Sequence, residues 1–275
     1  MSSRSSARGR LSIPQAIALG ALHGPAELLP VSSSGHVALV PWLLRWPYQE
    51  LDDELRKAFE VALHAGTAAA LLLTLHDERD ERTLRLLALS SAPPAVAGYA
   101  LERSIERHLG RPPTIAAGLL AGALAMALAD RTPQRRGHAD ADQADALWLG
   151  VAQACALIPG VSRNGATLAA ARLRGFDRAA AARLSRHVAP SVIAGATLLK
   201  AARLARRNLP AGTLAPFTAG ATAAFLCTLG SAPLVRRLER DRAPLPYALY
   251  RVALAALVLR RVARERSGRC PTIRP

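Results

Sequence analysis

The sequence predicts an all-α polytopic membrane protein, with about six transmembrane helices and two re-entrant helical hairpins in an inverted-topology repeat. Three observations carry that expectation. About half of the 275 residues are hydrophobic, and they fall in blocks too long for a soluble core. Two polar, glycine-containing turns interrupt the apolar sequence, Pro30-Val31-Ser32-Ser33-Ser34-Gly35-His36 and Pro159-Gly160-Val161-Ser162-Arg163-Asn164-Gly165-Ala166-Thr167. Both contain Val-Ser-x-x-Gly, and Val31/Val161, Ser32/Ser162 and Gly35/Gly165 each lie 130 residues apart.

Residues 1–10 are basic and serine-rich, and no small-residue cleavage site follows a clean apolar run, so a removed signal peptide is not expected. Blocks 11–29 and 34–46 flank the first turn; each is too short to cross alone or, with His23 and Glu27, too polar. Blocks 145–158 and 164–173 flank the second turn in the same way. Non-helical backbone at membrane depth is tolerated only where protein or a water-filled cavity surrounds it. Residues 11–46 and 145–175 therefore read as two hairpins, each entering the bilayer and returning to its starting side.

The full crossings are 58–76, 84–100, 114–130, 185–202, 213–235 and 245–262, of which 84–100 is marginally apolar. Three of them separate the hairpins, so the second hairpin enters from the face opposite the first. Residues 1–275 then form a single integral membrane domain, with a first repeat over about 11–130 and a second over about 145–262. Inverted repeats of this kind hold their ligand near the midplane, where the two turns meet. Six crossings place both termini on one side.

The net charge of +16 comes almost wholly from arginine in short loops and termini. Aromatic residues make up only 4% of the chain, which argues against a nucleic-acid partner and for arginines anchoring helix ends against anionic membrane lipid. The side holding the termini carries 18 Lys and Arg and the other 15, a difference too small to orient the chain. Cys155, Cys227 and Cys270 lack metal-ligand spacing and imply no disulfide framework; Cys155 and Cys227, in apolar blocks, read as core residues.

A turn that leads into a helix presents unpaired backbone N–H groups, and with the helix dipole these make an anion site. Helices starting near Ser34 and Asn164 would aim two such sites at one point. Arg163 adds a planar fork suited to phosphate. Against this stands the plainer reading of the serines as helix caps and of Gly35 and Gly165 as turn glycines. Glu27 follows His23 by four residues and shares its helical face. A carboxylate in apolar sequence wants a partner, either a metal such as magnesium or an arginine such as Arg163. His36, three residues after Ser33, is placed to exchange a proton near neutral pH or to bond the turn.

Weaker candidates are His64 and Arg251, polar residues in crossing segments. Lys200 reads as snorkelling, His76, His108, His138 and His187 as solvated, and the charged run 77–85 as a loop.

These residues resemble the bacterial undecaprenyl-diphosphate phosphatases of the bacitracin-resistance type, over nearly the whole chain. The likeness rests on Gly24-Pro25-Ala26-Glu27-Leu28-Leu29-Pro30-Val31-Ser32-Ser33-Ser34-Gly35-His36 and on the Pro159–Thr167 motif. Phe59-Glu60-Val61-Ala62-Leu63-His64-Ala65-Gly66-Thr67 and Tyr250-Arg251 match less strongly. The resemblance implies six crossings with two re-entrant hairpins in the bacterial inner membrane, the site opening to the outer face. It implies hydrolysis of the C55 isoprenoid diphosphate, a phosphoric anhydride, which recycles the lipid carrier for peptidoglycan synthesis and confers bacitracin resistance. By motif, Ser33 is the nucleophile, His36 its proton-transfer partner, and Glu27 a metal ligand or base. Arg163, Ser162 and Thr167 hold the diphosphate, with Ser32, Ser34, Asn164 and Gly165 from the same turns. The implied cofactor is a divalent metal, magnesium with calcium as the alternative, on Glu27 and His23. A polyprenyl diphosphate is the implied substrate, and a homodimer is left open.

The chain departs from the family pattern at three positions. An acidic or amide residue is usual at His23, Thr at Ala26 and Ser at Asn164. Two alternatives stay open on sequence alone: a prenyl-phosphate carrier, since inverted repeats also build alternating-access transporters, and a catalytically impaired paralogue that binds the lipid. Acid-phosphatase-like lipid phosphatases are set aside, because no histidine follows Arg163 at the needed spacing.

Overall fold

The computed structural model describes residues 11–74, 81–204, 210, 212–239 and 243–267. Among them are ten α-helices, and the fold is all-α. In chain order these are α1 (Ile13–Leu28), α2 (Ser33–Leu44), α3 (Asp53–Thr74), α4 (Glu81–Leu109) and α5 (Pro112–Ala129), then α6 (Gln143–Cys155), α7 (Arg163–Leu173), α8 (Arg178–Leu204), α9 (Leu214–Glu239) and α10 (Leu245–Ser267). The described residues contain no strand, only an isolated parallel bridge between Arg136 and Phe176.

Local signals place the helix starts. Ser12 caps α1 in a capping box with Gln15, and Asp142 caps α6 in a box with Asp145. Each apolar block of the sequence falls in its own helix. The marginal block 84–100 lies within α4, which runs for 29 residues through Pro93 and Pro94. Among the described residues two helices are long and apolar enough by themselves to cross a membrane, α5 and residues Leu214–Arg237 of α9.

The outward faces are apolar. Val96, Tyr99, Leu198 and Leu214 each expose at least 70% of their surface, and Leu73, Leu124, Leu226 and Leu249 also point outward. Large apolar side chains spread over several helices suit a hydrocarbon surround better than water. This is a membrane-type helical protein.

The helices pack with a repeated pattern. α1 lies along α9 and α6 along α4; α9 also packs on α3, and α4 on α8. Exchanging the first five helices for the last five turns each of these contacts into its counterpart, while α5–α10 and α3–α8 join equivalent helices. The α3–α9 contact depends on a missing side chain, since a Cβ on Gly66 would collide with the backbone of Ala221.

Beyond the last residue of α5, Asp130 accepts hydrogen bonds from Arg178 at 2.7 and 2.9 Å and from Arg172 at 3.4 Å. Asp145 takes Arg136 at 2.6 Å and Arg174 at 2.7 Å. These pairs fasten the 131–144 segment to the α7–α8 connection. The Arg178 hydrogen bonds hold the Asp130 carboxyl below its ordinary pKa, with the nearby charges of Arg178 and Arg172 acting in the same sense against partial burial.

Three expectations need correction. The charged run 77–85 is not wholly a loop, since residues 81–85 open α4. His187 is not solvated: it lies on the inward face of α8, is 3% exposed and packs edge-on against His138. Cys155 is exposed rather than in the core, because it ends α6 on that helix's outer face. Residues 1–10, His76, 77–80 and Cys270 lie outside the described residues.

Gly66→Leu is expected to cost about 1–3 kcal/mol by overpacking, read as a lower melting temperature in detergent. Because the folded pKa of Asp130 lies below its unfolded value, its contribution is complete above about pH 4 and is lost as pH falls through the folded value. Asp130→Asn should therefore lower the melting temperature near neutrality and flatten its decline in acid.

Candidate active site

Two turns of matching conformation meet in the centre of the molecule. Ser32 has φ 75° and Ser162 has φ 66°, both in the left-handed region that non-glycine residues seldom occupy. Each caps the helix that follows: the Ser32 hydroxyl accepts from the Gly35 amide at 3.3 Å, and that of Ser162 from the Gly165 amide at 3.2 Å. Both helices begin one residue before the expected positions, at Ser33 and Arg163. Strained backbone at equivalent points of both motifs marks a place where surrounding contacts hold the turns in shape.

Those contacts run between the turns. Arg163 donates to Glu27 Oε1 from Nη2 at 3.2 Å and from Nε at 3.3 Å, and reaches the Glu27 carbonyl at 3.3 Å. The side-chain amide of Asn164 donates to the Leu28 carbonyl. Arg251, fully buried on α10, donates to the carbonyls of Pro30 at 3.3 Å, Gly160 at 2.7 Å and Val161 at 2.8 Å, and to Gly118 on α5 at 3.4 Å. One guanidinium thus grips both turns.

Within this frame the hydroxyl of Ser33 donates to Glu27 Oε2. Glu27 is 7% exposed and carries Ser33 on one oxygen and Arg163 on the other. A hydroxyl, a carboxylate and a guanidinium are therefore joined in one line across the two motifs.

His36 takes a different direction. Its Nδ1 lies 2.7 Å from the Ser32 carbonyl, which only accepts, so the ring proton sits on Nδ1 when the ring is neutral. Its Nε2 then accepts from the Tyr250 hydroxyl at 2.6 Å, and the two rings stack. Among the described contacts His36 bonds the turn and Tyr250, while the partner of Ser33 is Glu27. His23 lies beneath Glu27 with Nδ1 3.0 Å from the Thr67 hydroxyl, and its ring meets that of His64 edge-on.

The remaining predicted residues divide. Thr167 is fully buried and bonds Ser185 at 2.5 Å, and Ser185 also donates to the Asn164 side chain at 2.6 Å. Both Thr167 and Ser162 stabilise the second turn from behind. Ser34 is exposed at the start of α2. Gly165 admits Arg251, whose guanidinium occupies the space a Cβ would need. Ser185 carries no sequence signal of its own, since it stands at the polar edge of an apolar block.

A pocket leads outward from this cluster. Glu27, Arg163, Asn164 and Ser185 form its inner end, Leu28, Leu71, Ala189, Ala232 and Val235 an apolar wall, and Thr74, Arg186 and Arg236 the region of the α3, α8 and α9 ends. It combines a polar inner end, where Arg163 pairs with Glu27, with an apolar side.

Comparison with known proteins matches the family described as bacitracin resistance protein BacA over residues 16–257. An undecaprenyl-diphosphatase of Geobacter sulfurreducens is 41% identical, covering 90% of this chain and 98% of the relative. Undecaprenyl-diphosphatases of Geobacter metallireducens and Moorella thermoacetica are 37% and 34% identical, covering 89% and 90% of this chain and 96% and 97% of theirs.

Arg251→Ala is expected to cost about 3 kcal/mol or more, since it strands several buried carbonyls at once. Arg251→Lys should recover only part, because an ammonium lacks the planar fork that spans the two turns. Thermal unfolding of both variants in detergent checks this order.

Proposed function

The chain belongs to the bacitracin resistance protein BacA family, and on that premise we propose that it hydrolyses undecaprenyl diphosphate at the centre where its two turns meet. The observation that carries the assignment of residues is the Ser33 hydroxyl donating to a Glu27 carboxylate that Arg163 of the second motif grips. That is the arrangement of an activated nucleophile: a hydroxyl beside a base, with the base held by a third group.

The terminal phosphate of the lipid enters against Arg163 and the first-turn amides of α2 and α7, which have no intrahelical acceptor. Glu27 takes the Ser33 proton as Oγ attacks the terminal phosphorus. The bond to the bridging oxygen breaks, and undecaprenyl phosphate leaves. Water then displaces Ser33 from phosphorus, restoring its hydroxyl and releasing inorganic phosphate. Arg163 and the helix N-termini stabilise charge on the phosphoryl oxygens as it develops. His36 acts by holding the Ser32 carbonyl through Nδ1, with Tyr250 fixing its ring; this positions the α2 start from which Ser33 projects. The apolar pocket wall receives the first isoprenoid units.

The reading includes six crossings, α3, α4, α5, α8, α9 and α10, with α1–α2 and α6–α7 as the re-entrant hairpins. The exchange of contacts between the two halves supports it. In this topology the pocket mouth lies on the side opposite the termini, and it faces outward in the bacterial inner membrane.

The resemblance also implies magnesium or calcium. The donors at Glu27 do not fit that ion: His23 and His64 offer imidazole nitrogen, whereas magnesium and calcium take oxygen. The steps above use only the chain's own residues.

Phosphate release from undecaprenyl diphosphate by purified protein tests the proposal. Ser33→Ala should lower kcat by about 1,000-fold or more, and Glu27→Gln by about 100- to 10,000-fold. Arg163→Ala should lose activity more steeply than Arg163→Lys, as expected of a bidentate phosphate contact. Full release by Ser33→Ala would remove the nucleophile from this account, and lipid binding without release by wild type would favour a carrier.

A further inference from the structure

We infer that His23, His64 and Glu27 form a site for a borderline transition-metal dication of the zinc and cobalt class, in place of the magnesium or calcium that the family resemblance implies. The inference rests on the reading of Glu27 as part of the phosphatase centre, and names the ion that centre prefers in this chain.

Three donors converge. Two imidazoles and a carboxylate each offer one ligand atom, and these atoms lie within 4.8 Å of one another. An ion with ligands at about 2.0–2.2 Å closes that span with small side-chain shifts. Hydrogen bonds on the other ring nitrogens leave one nitrogen of each imidazole for an ion. His64 Nδ1 lies 2.8 Å from the Glu60 carbonyl, an obligate acceptor, so Nδ1 carries the proton and Nε2 the lone pair. His23 Nδ1 is taken up by Thr67 at 3.0 Å, which leaves Nε2 as the donor that His23 offers. A metal-binding imidazole needs this kind of partner on its other nitrogen, which orients the ring and fixes the tautomer.

The independent observation is His23 Nε2 itself. The residue is 1% exposed and this atom has no hydrogen-bond partner. If the two histidines merely packed together, a buried polar nitrogen would be stranded at a cost of about 1–3 kcal/mol. A ligand role removes that cost. Glu27 keeps capacity for the ion, because a carboxylate has about four acceptor positions and Ser33 and Arg163 occupy only part of them.

Donor type sets the choice of ion. Two nitrogens and one oxygen suit zinc or cobalt, while magnesium demands near-octahedral oxygen ligation. His23 and His64, the two nitrogen donors, set that preference.

The test is metal retention by chelator-stripped, purified full-length protein in detergent, loaded with Zn²⁺, desalted and assayed by mass spectrometry. Wild type should retain about one zinc per chain in excess magnesium, and Co²⁺ loading should give a visible absorption band of a nitrogen-ligated site. His23→Ala and His64→Ala should each weaken zinc binding at least about ten-fold while migrating as folded protein. His23→Glu, which replaces nitrogen by oxygen, should keep a metal but let magnesium compete. Sub-stoichiometric zinc in wild type, or unchanged zinc binding in both alanine variants, overturns the inference. Phosphate release measured on the same samples separates the two readings. Zinc retention without release removes the phosphatase assignment alone, and release without zinc retention removes the metal site alone.

Discussion

One buried guanidinium sets the geometry on which the rest depends. Arg251 has no carboxylate partner among its hydrogen bonds; it is held by backbone carbonyls from the first turn, the second turn and α5. Burying a cation against neutral dipoles is a poor way to gain stability, since lost hydration is only partly replaced. It is an effective way to fix position, because a planar fork binds several carbonyls in set directions. The surrounding sequence accommodates it. A Cβ on Gly122 or Gly165 would overlap the guanidinium, so both positions lack one. The two turns are therefore held at one separation from a third helix, and neither can relax its strained serine without disturbing Arg251.

Given that frame, the cross-turn contacts follow. Arg163 meets Glu27, and Asn164 meets the Leu28 carbonyl, because Arg251 has already brought residues 30 and 160–161 together. Glu27 would be expensive alone in apolar surroundings. Paired with Arg163 and accepting from Ser33, it becomes a base held in place before any ligand arrives. The apolar pocket wall next to this pair supplies the second half of what an amphiphilic diphosphate needs.

Much of this was legible in the sequence, and the reason is local. Serine caps, turn glycines and helix periodicity are written within a few residues, so both turns and a helix for each apolar block are legible, although the helices extend beyond the blocks, as α4 does from Glu81 to Leu109. What escaped was long-range. Nothing near Arg251 says that its partners lie 221, 133, 91 and 90 residues away. Ser185 gave no local sign that it braces Asn164, and the charged neighbours of His187 concealed its burial. His36 is the instructive case. Its spacing from Ser33 leaves two roles open, proton exchange or bonding the turn, and the imidazole lies against the Ser32 carbonyl and the Tyr250 hydroxyl.

The two turns share a backbone and differ in chemistry, which explains why a duplicated motif can build one asymmetric site. A shift of 130 residues maps Ser32 onto Ser162 and Gly35 onto Gly165, the cap and the amide it satisfies. The same shift maps Ser33 onto Arg163, Ser34 onto Asn164 and His36 onto Ala166. Identical cap geometry thus projects a nucleophilic hydroxyl from one half and a guanidinium from the other, both toward Glu27. Symmetry in the backbone brings two helix N-termini to one place, which suits a ligand with several anionic oxygens. Asymmetry in the side chains then gives the proposed mechanism its direction, with attack from the first motif and charge stabilisation from the second. Had both turns kept serine at this position, the centre would hold two hydroxyls and no cation to balance Glu27. Had both carried arginine, it would bind phosphate without a nucleophile. On the proposed mechanism, divergence at this pair of equivalent positions is what turns a symmetric anion site into a centre able to break a phosphoanhydride bond.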